Sequence, residues 1–258
     1  MTKNMDNELL NIYYNEPHKT NKNILKALYN RGYIENDNLL TEEGRNYVIS
    51  ILPLQEQCKA LDIKLNEISL TINEKVESTA LNYFNELNYI GTSIEGNAIF
   101  TILKSLILDK LSEYNYFNSR EDACRRYLEA QLIILQDKSC EIIEYAKIVD
   151  RNIYLNNVKE ILEDPFSKSI LNDFTIEFAE KFYDEIDKNL LITLLSTICG
   201  NPYLYRSGWP DLTLVKDNEI KFVEVKSKDK LHDSQIITIQ KMKELLPFEF
   251  SILKVNRK

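Results

Sequence analysis

Only two histidines, His18 and His232, occur in the 258 residues, and they lie far apart in sequence. That scarcity removes histidine-based zinc sites and nucleophile–histidine dyads from the chemistry to consider. Cysteine is little commoner: Cys58, Cys124, Cys140 and Cys199 form no Cys-x-x-Cys pair and no metal-binding spacing. They read as buried thiols of a reducing compartment. Six glycines and six prolines are too few for long linkers or disordered tracts. No glycine-rich phosphate loop is present, so ATP use is not indicated. No apolar run reaches transmembrane length, and Met1-Thr2-Lys3-Asn4-Met5-Asp6 lacks the core of a signal peptide. The expectation is a cytoplasmic protein with no membrane partner. Its 44% apolar content suffices for a large domain plus a small accessory one.

Basic charge is also scarce, with a net of −8, which at first argues against nucleic acid. The sign is uneven, however. Residues 201–258 hold eleven Lys/Arg against eight Asp/Glu, leaving 21 basic and 32 acidic residues in 1–200. An enzyme acting on a polyanion needs local basic surface rather than a basic whole. Lys226, Lys228 and Lys230 alternate near the end, and Arg206 precedes them. They fit either phosphate binding or a solvated edge strand guarded by lysines.

What is present is concentrated around Pro210-Asp211 and Glu224-Val225-Lys226. Two apolar-rich runs, Leu212–Val215 and Ile220–Val225, flank Asp217-Asn218 and predict a β-hairpin. With Asp217 and Asn218 in the turn, Lys216 pairs with Glu219, Val215 with Ile220, and Asp211 falls opposite Glu224. Alternation puts Glu224 and Lys226 on one face and Val223 and Val225 on the other. Directly opposed like charges destabilise a sheet. A divalent cation resolves that conflict, since carboxylate oxygens completed by water and phosphate suit Mg²⁺. The plainer alternative is an exposed hairpin with solvated charges.

Proline-aspartate followed by glutamate-x-lysine on the next strand resembles the PD-(D/E)XK nuclease superfamily. The longer string Tyr205-Arg206-Ser207-Gly208-Trp209-Pro210-Asp211-Leu212, then Phe222-Val223-Glu224-Val225-Lys226, Leu231 and Gln235, resembles its VRR-NUC branch, which includes the Fanconi-associated nucleases. Ile94-Glu95-Gly96 before the apolar run Ala98–Leu111, which carries Asp109, resembles the Glu-Gly helix of the Fanconi-associated enzymes, with Leu108 where they have tryptophan. A glutamine that larger relatives use downstream has no matching position; Gln131 is nearest, at the wrong spacing.

The resemblance implies a metal-dependent DNA endonuclease using Mg²⁺ or Mn²⁺, acting on flapped or branched DNA. Restriction-type cleavage of duplex DNA and a non-catalytic DNA-binding protein are the alternatives. Asp211 and Glu224 are the expected metal ligands, with the Val225 carbonyl as a further one. Glu95 enters this set only through the resemblance. Lys226 is expected to orient the attacking water and stabilise developing charge, and Gln235 to position water or phosphate. Arg206, Lys228 and Lys230 are the candidate DNA contacts, and His232 is near enough in sequence to touch phosphate. DNA is the expected partner, and a homodimer is left open.

The expected fold is α+β: a helical N-terminal portion, then a restriction-endonuclease-like mixed sheet flanked by helices. Residues 1–50 resemble a winged-helix module, with helices over Glu8–Tyr14 and Thr20–Arg31 and a third capped by Thr41. Residues 51–90 are expected to form a helical connector, reading as two helices around Ser69–Asn73. Residues 91–258 form the expected nuclease domain. Apolar residues recur at helical spacing in Ala98–Leu111, Glu121–Val149, Asn156–Leu162, Asp173–Ile186 and Asn189–Cys199. Hairpin, helix Asp233–Leu246 and strand Phe248–Val255 close the chain.

Overall fold

Short polar side chains open the first three helices. Thr2, Asn21 and Thr41 accept hydrogen bonds from first-turn backbone N–H groups of α1 (Lys3–Tyr14), α2 (Lys22–Asn30) and α3 (Glu42–Ile51). The structure, a computed structural model, describes residues 1–16, 21–117 and 119–258; His18 and Thr20 lie outside them. Between α2 and α3, Ile34 and Leu40 meet in an isolated antiparallel bridge. Met5, Leu9, Leu28, Ile34 and Val48 form a small core of their own. Ile49, on another side of α3, belongs to the main core instead. Helix α3 is therefore wedged between two cores.

After α4 (Leu54–Ala60) the chain forms β1 (Lys64–Leu70), then α5 (Val76–Glu86). Strand β1 corrects the expectation of two helices over 52–90. Its Lys64, Asn66 and Glu67 are exposed, so the segment carries no long apolar signature, and it gains its place by pairing with the last strand. A three-residue strand, β2 (Ile90–Thr92), leads to α6 (Gly96–Glu113), whose Ile99, Ile102, Leu103, Leu106, Ile107 and Leu111 are buried. Each such side chain contributes about 1.5–3 kcal/mol relative to exposure.

The stretch 121–149 is broken rather than continuous. It holds α7 (Arg120–Arg125), α8 (Leu128–Ile134), a 3₁₀ turn and α9 (Ser139–Ile148). Then follow α10 (Arg151–Glu163), α11 (Pro165–Ile170), α12 (Ile176–Glu185) and α13 (Lys188–Gly200). Cys58, Cys124 and Cys199 are buried in these packed layers, but Cys140 is exposed, against expectation.

The expected hairpin is β3 (Leu212–Lys216) and β4 (Glu219–Lys226), followed by α14 (Asp233–Leu245) and β5 (Glu249–Arg257). One five-stranded mixed sheet runs β1-β5-β4-β3-β2. Strands β1 and β4 lie parallel to β5 on either side of it, while β3 is antiparallel to both β4 and β2. Helix α14 makes the crossover that a parallel β4–β5 pair requires. Leu212, Leu214, Val223, Val225, Leu253 and Val255 pack on one face with Ala80 and Leu81 of α5. Ile220, Phe222, Phe250 and Ile252 face the main helical core. The result is the α+β class expected: helices flanking a mixed sheet.

Candidate active site

The main-core face of β4 changes character along its length. Ile220 and Phe222 are apolar, and the next two positions on that face are Glu224 and Lys226. Glu224 is 1% exposed and Lys226 8%, so neither is an ordinary surface charge. The solvated-hairpin alternative fails on that point. The register is the one the turn dictates: Lys216 pairs with Glu219, Val215 with Ile220 and Leu212 with Val223. One step further, Asp211 stands across from Glu224. Its Oδ2 accepts the backbone N–H of Val225 at 2.8 Å, which fixes the carboxylate against β4.

Lys226 Nζ lies 2.7 Å from Glu224 Oε1 and donates to Gln235 Oε1 at 3.2 Å. Gln235 Nε2 donates to the same Glu224 Oε1 at 2.6 Å. Its Oε1 also accepts the backbone N–H of His232 at 3.0 Å, which ties this side chain to the start of α14. Glu224 Oε1 thus has two donors, while its Oε2 is buried with no hydrogen-bond partner. A buried unpaired carboxylate oxygen is costly, and native proteins rarely keep one without a use.

The electrostatics follow from this geometry. Burial pushes the Asp211 carboxyl well above the usual carboxylate range, and neighbouring Glu224 adds to the rise, against the pull of the Val225 N–H and Lys226. Glu224 is raised as well, first by burial, while Lys226 and Gln235 oppose the shift. One ammonium does not compensate two desolvated carboxylates. A divalent cation beside Asp211 and the open Oε2 of Glu224 fits the donor set, with oxygen ligands of the hard kind that Mg²⁺ takes. Among the described residues, no three His, Cys, Asp or Glu side chains are gathered closely enough to hold a metal by themselves.

Glu95 reaches this place through its backbone. Its N–H donates to the Asp211 carbonyl at 3.3 Å, while its side chain is exposed at the start of α6. Its φ of 51° and ψ of −137° are strained for a residue with a Cβ, and such strain persists only where neighbours impose it. Two neighbours do so. Upstream, Asp173 accepts from the Thr92 and Ser93 hydroxyls and from the Ser93 N–H at 2.7 Å. Downstream, a Cβ on Gly96 would stand 2.8 Å from Trp209 Cδ1, so only glycine allows α6 to begin against that ring. No sequence signal marked Asp173; it looked like a helix-start residue.

The segment from Tyr205 to Pro210 is held against α14. Thr238 Oγ1 donates to the Ser207 carbonyl at 2.8 Å. A Cβ on Gly208 would meet the Ser234 carbonyl oxygen at 2.1 Å, and φ there is +83°. Arg206 is exposed, its guanidinium over the Tyr203 ring at 5.3 Å. Lys228 and Lys230 are exposed too, but they lie in the loop after β4. Strand β4 is flanked on both sides, which corrects the edge-strand alternative for these lysines. Gln131 is a structural residue: it is buried, and its amide donates to the carbonyls of Ala123 at 3.0 Å and Arg126 at 3.1 Å. His232 is the exposed N-cap of α14.

The β-hairpin thus presents Asp211, Glu224 and Lys226 beside the crossover helix, the arrangement that the resemblance to the PD-(D/E)XK nucleases implies. Residues 168–257 match the VRR-NUC domain model, so this C-terminal portion of the chain is similar to VRR-NUC domains. No curated protein matches the sequence. Among solved structures, the chain is similar to that of paFAN1 bound to 1-nucleotide 5′-flap DNA with a gap, at 16% identity and TM-score 0.55, covering 92% of this chain and 46% of that one. A second structure of paFAN1, with a 2-nucleotide 5′ flap and a gap, is similar at 17% identity and TM-score 0.51, over 76% and 38% of the two chains. At these identities the likeness concerns the fold, and the chain spans less than half the length of either solved protein. No helix among the described residues is long and apolar enough to cross a membrane.

Proposed function

We propose that this chain is a divalent-metal-dependent DNA endonuclease whose preferred substrates are flapped or branched DNA. The observation that carries the reading is the Asp211–Glu224–Lys226 cluster, with Glu224 and Lys226 buried and Glu224 Oε2 left open, inside the segment that matches the VRR-NUC domain. The choice of flapped DNA is supported by the two solved relatives, whose DNA carries a 5′ flap. Asp211, Glu224 and the Val225 carbonyl would hold Mg²⁺ or Mn²⁺, and Glu95 is proposed as a further ligand. The cation would supply charge neutralisation and polarisation at the scissile phosphate. Lys226 would orient the attacking water and stabilise negative charge as it develops on the phosphate oxygens. Gln235 holds the Lys226 ammonium and the Glu224 carboxylate in one arrangement, so neither must reorganise during the reaction. Arg206, Lys228 and Lys230 would meet the phosphodiester backbone and contribute register rather than sequence reading.

Linear duplex, 5′ flap, splayed arm and four-way junction of matched sequence, incubated with Mg²⁺ or Mn²⁺, test the reading. The 5′ flap and branched substrates are expected to be cut, EDTA to stop the reaction, and Asp211→Ala and Lys226→Ala each to abolish it while DNA binding persists. Cutting of one duplex sequence regardless of branching would establish the restriction-type alternative. DNA binding without cleavage under every metal condition would leave a non-catalytic binding protein.

A further inference from the structure

Among the described residues of 1–60 no carboxylate or lysine is bonded to Asp211, Glu224 or Lys226, yet one of their side chains grips the segment that leads to that cluster. Gln57 of α4 is fully buried. Its Oε1 accepts the N–H of Leu231 at 2.8 Å, and its Nε2 donates to the Leu231 carbonyl at 3.2 Å. The same Nε2 donates to the carbonyl of Ile49, in α3, at 3.0 Å. One amide therefore satisfies both backbone groups of a single residue, as a neighbouring strand would, and anchors that residue to α3. Leu231 is itself buried, the fixed end of the exposed run 227–230 that carries Lys228 and Lys230. The next residue, His232, is the N-cap of α14, and its N–H is bonded to the Gln235 side chain. Gln235 in turn holds both Glu224 and Lys226. The links run without a gap from α3 through Gln57, Leu231 and Gln235 to the carboxylate and lysine of the site.

We infer that Gln57 is a positioning residue, through which the N-terminal helices set the loop 227–231 and the first turn of α14 against the catalytic cluster. The inference rests on the nuclease reading. Removing the amide strands two buried backbone groups at Leu231, and the loop must open to hydrate them. Gln235 then loses its fixed base and the two lysines their fixed height. Small misplacements of this kind cost up to about a hundredfold in rate.

The test compares Gln57→Met, which keeps the volume and removes the polar contacts, with Val48→Ala, which weakens the small N-terminal core that excludes Gln57. Both are assayed well below their melting temperatures, on a 5′-flap substrate with Mg²⁺. Gln57→Met is expected to lower kcat about tenfold or more and raise the KM for DNA, and amide exchange over residues 228–235 should accelerate. Val48→Ala should melt earlier with kcat and that exchange unchanged. Equal kcat losses in both variants would reduce Gln57 to general stability and overturn the inference; so would unchanged exchange in Gln57→Met. If Gln57→Met does not fold, Gln57→Asn, which keeps the amide but shortens its reach, carries the same comparison. An inactive wild type would sink the nuclease reading alone, because the exchange measurement still decides whether Gln57 holds the loop.

Discussion

Asp109 in the helical half and Asp211 at the sheet are both carboxylates drawn partly out of solvent, yet their surroundings differ in sign. Asp109 receives Arg120 on one oxygen and the Tyr145 hydroxyl on the other. Arg120 also pairs with Glu160 and donates to Asn157 at 2.6 Å, so the cluster closes on itself. Burial alone would raise the Asp109 carboxyl, but the bonds from Tyr145 and Arg120 hold it below its ordinary range. At Asp211 burial raises the carboxyl, and the largest charge effect on it comes from another carboxylate, Glu224. The comparison separates a carboxylate whose charge is balanced within the fold from one whose charge is not. Asp109 was drawn into the sequence reading by its helix, and its bonds show it to be a structural residue.

The strongest way to break this comparison is Asp211→Asn. The amide can still accept the Val225 N–H, so removal of the uncompensated charge is expected to raise the melting temperature by a few degrees while turnover falls by about 10²–10³-fold. Thermal melts and single-turnover cleavage read the two quantities; a variant that melts lower would show that the charge was already well satisfied. Asp109→Asn should behave in the opposite way. Asp109 is about a third exposed, which discounts its ion pair, so a loss of about 1 kcal/mol in urea unfolding is expected, with cleavage unchanged. Loss of turnover at full stability would return Asp109 to the active site.

Lys104 sharpens the comparison from the side of the cations. Its ammonium is buried, donating to the Cys124 carbonyl at 3.0 Å, and no ion pair to it is recorded among the described residues. Burial lowers its pKa to about 8, opposed weakly by Cys124, Glu129 and Asp164. Because the folded value lies below the unfolded one, the unfolded chain binds more protons between about pH 8 and 10.5, and stability from this group rises across that window. Lys104→Met should therefore stabilise the protein at pH 7, with the gain shrinking as the pH rises through 8. The Cys124 carbonyl keeps a bond from Ser167 Oγ at 3.0 Å, so no new orphan is made. Melting curves from pH 6 to 10 check this. A constant difference across the range would mean that Lys104 keeps its ordinary affinity for protons.

The hairpin was readable because its information is local. Asp217-Asn218 sets the turn, alternation sets the faces, and the opposition of Asp211 and Glu224 follows by counting. Gln235 was readable as a candidate, but its bonds to both Glu224 and Lys226 were not, since they depend on where α14 lands. Strand β1 escaped notice because an exposed edge strand mixes polar and apolar residues, and its partner lies at the far end of the chain. Gln57 and Asp173 left no trace at all in pattern or spacing. Each is a polar side chain serving backbone far away in sequence, and only tertiary packing makes that service visible.

The pairing of β1 with β5 also bears on how the protein is made. Lys64 sits beside Ser251, and β4 gains its second neighbour from the same strand. Contacts of such long sequence separation form late, because the intervening chain must lose its freedom before the ladder rewards it. During synthesis the hairpin with Asp211 and Glu224 emerges before the strand that flanks it and before α14 brings Gln235. The Asp211–Glu224–Lys226 cluster is thus completed only once β5 and α14 are in place. A ribosome-bound or C-terminally clipped chain would display the acidic hairpin without the strand and helix that enclose it.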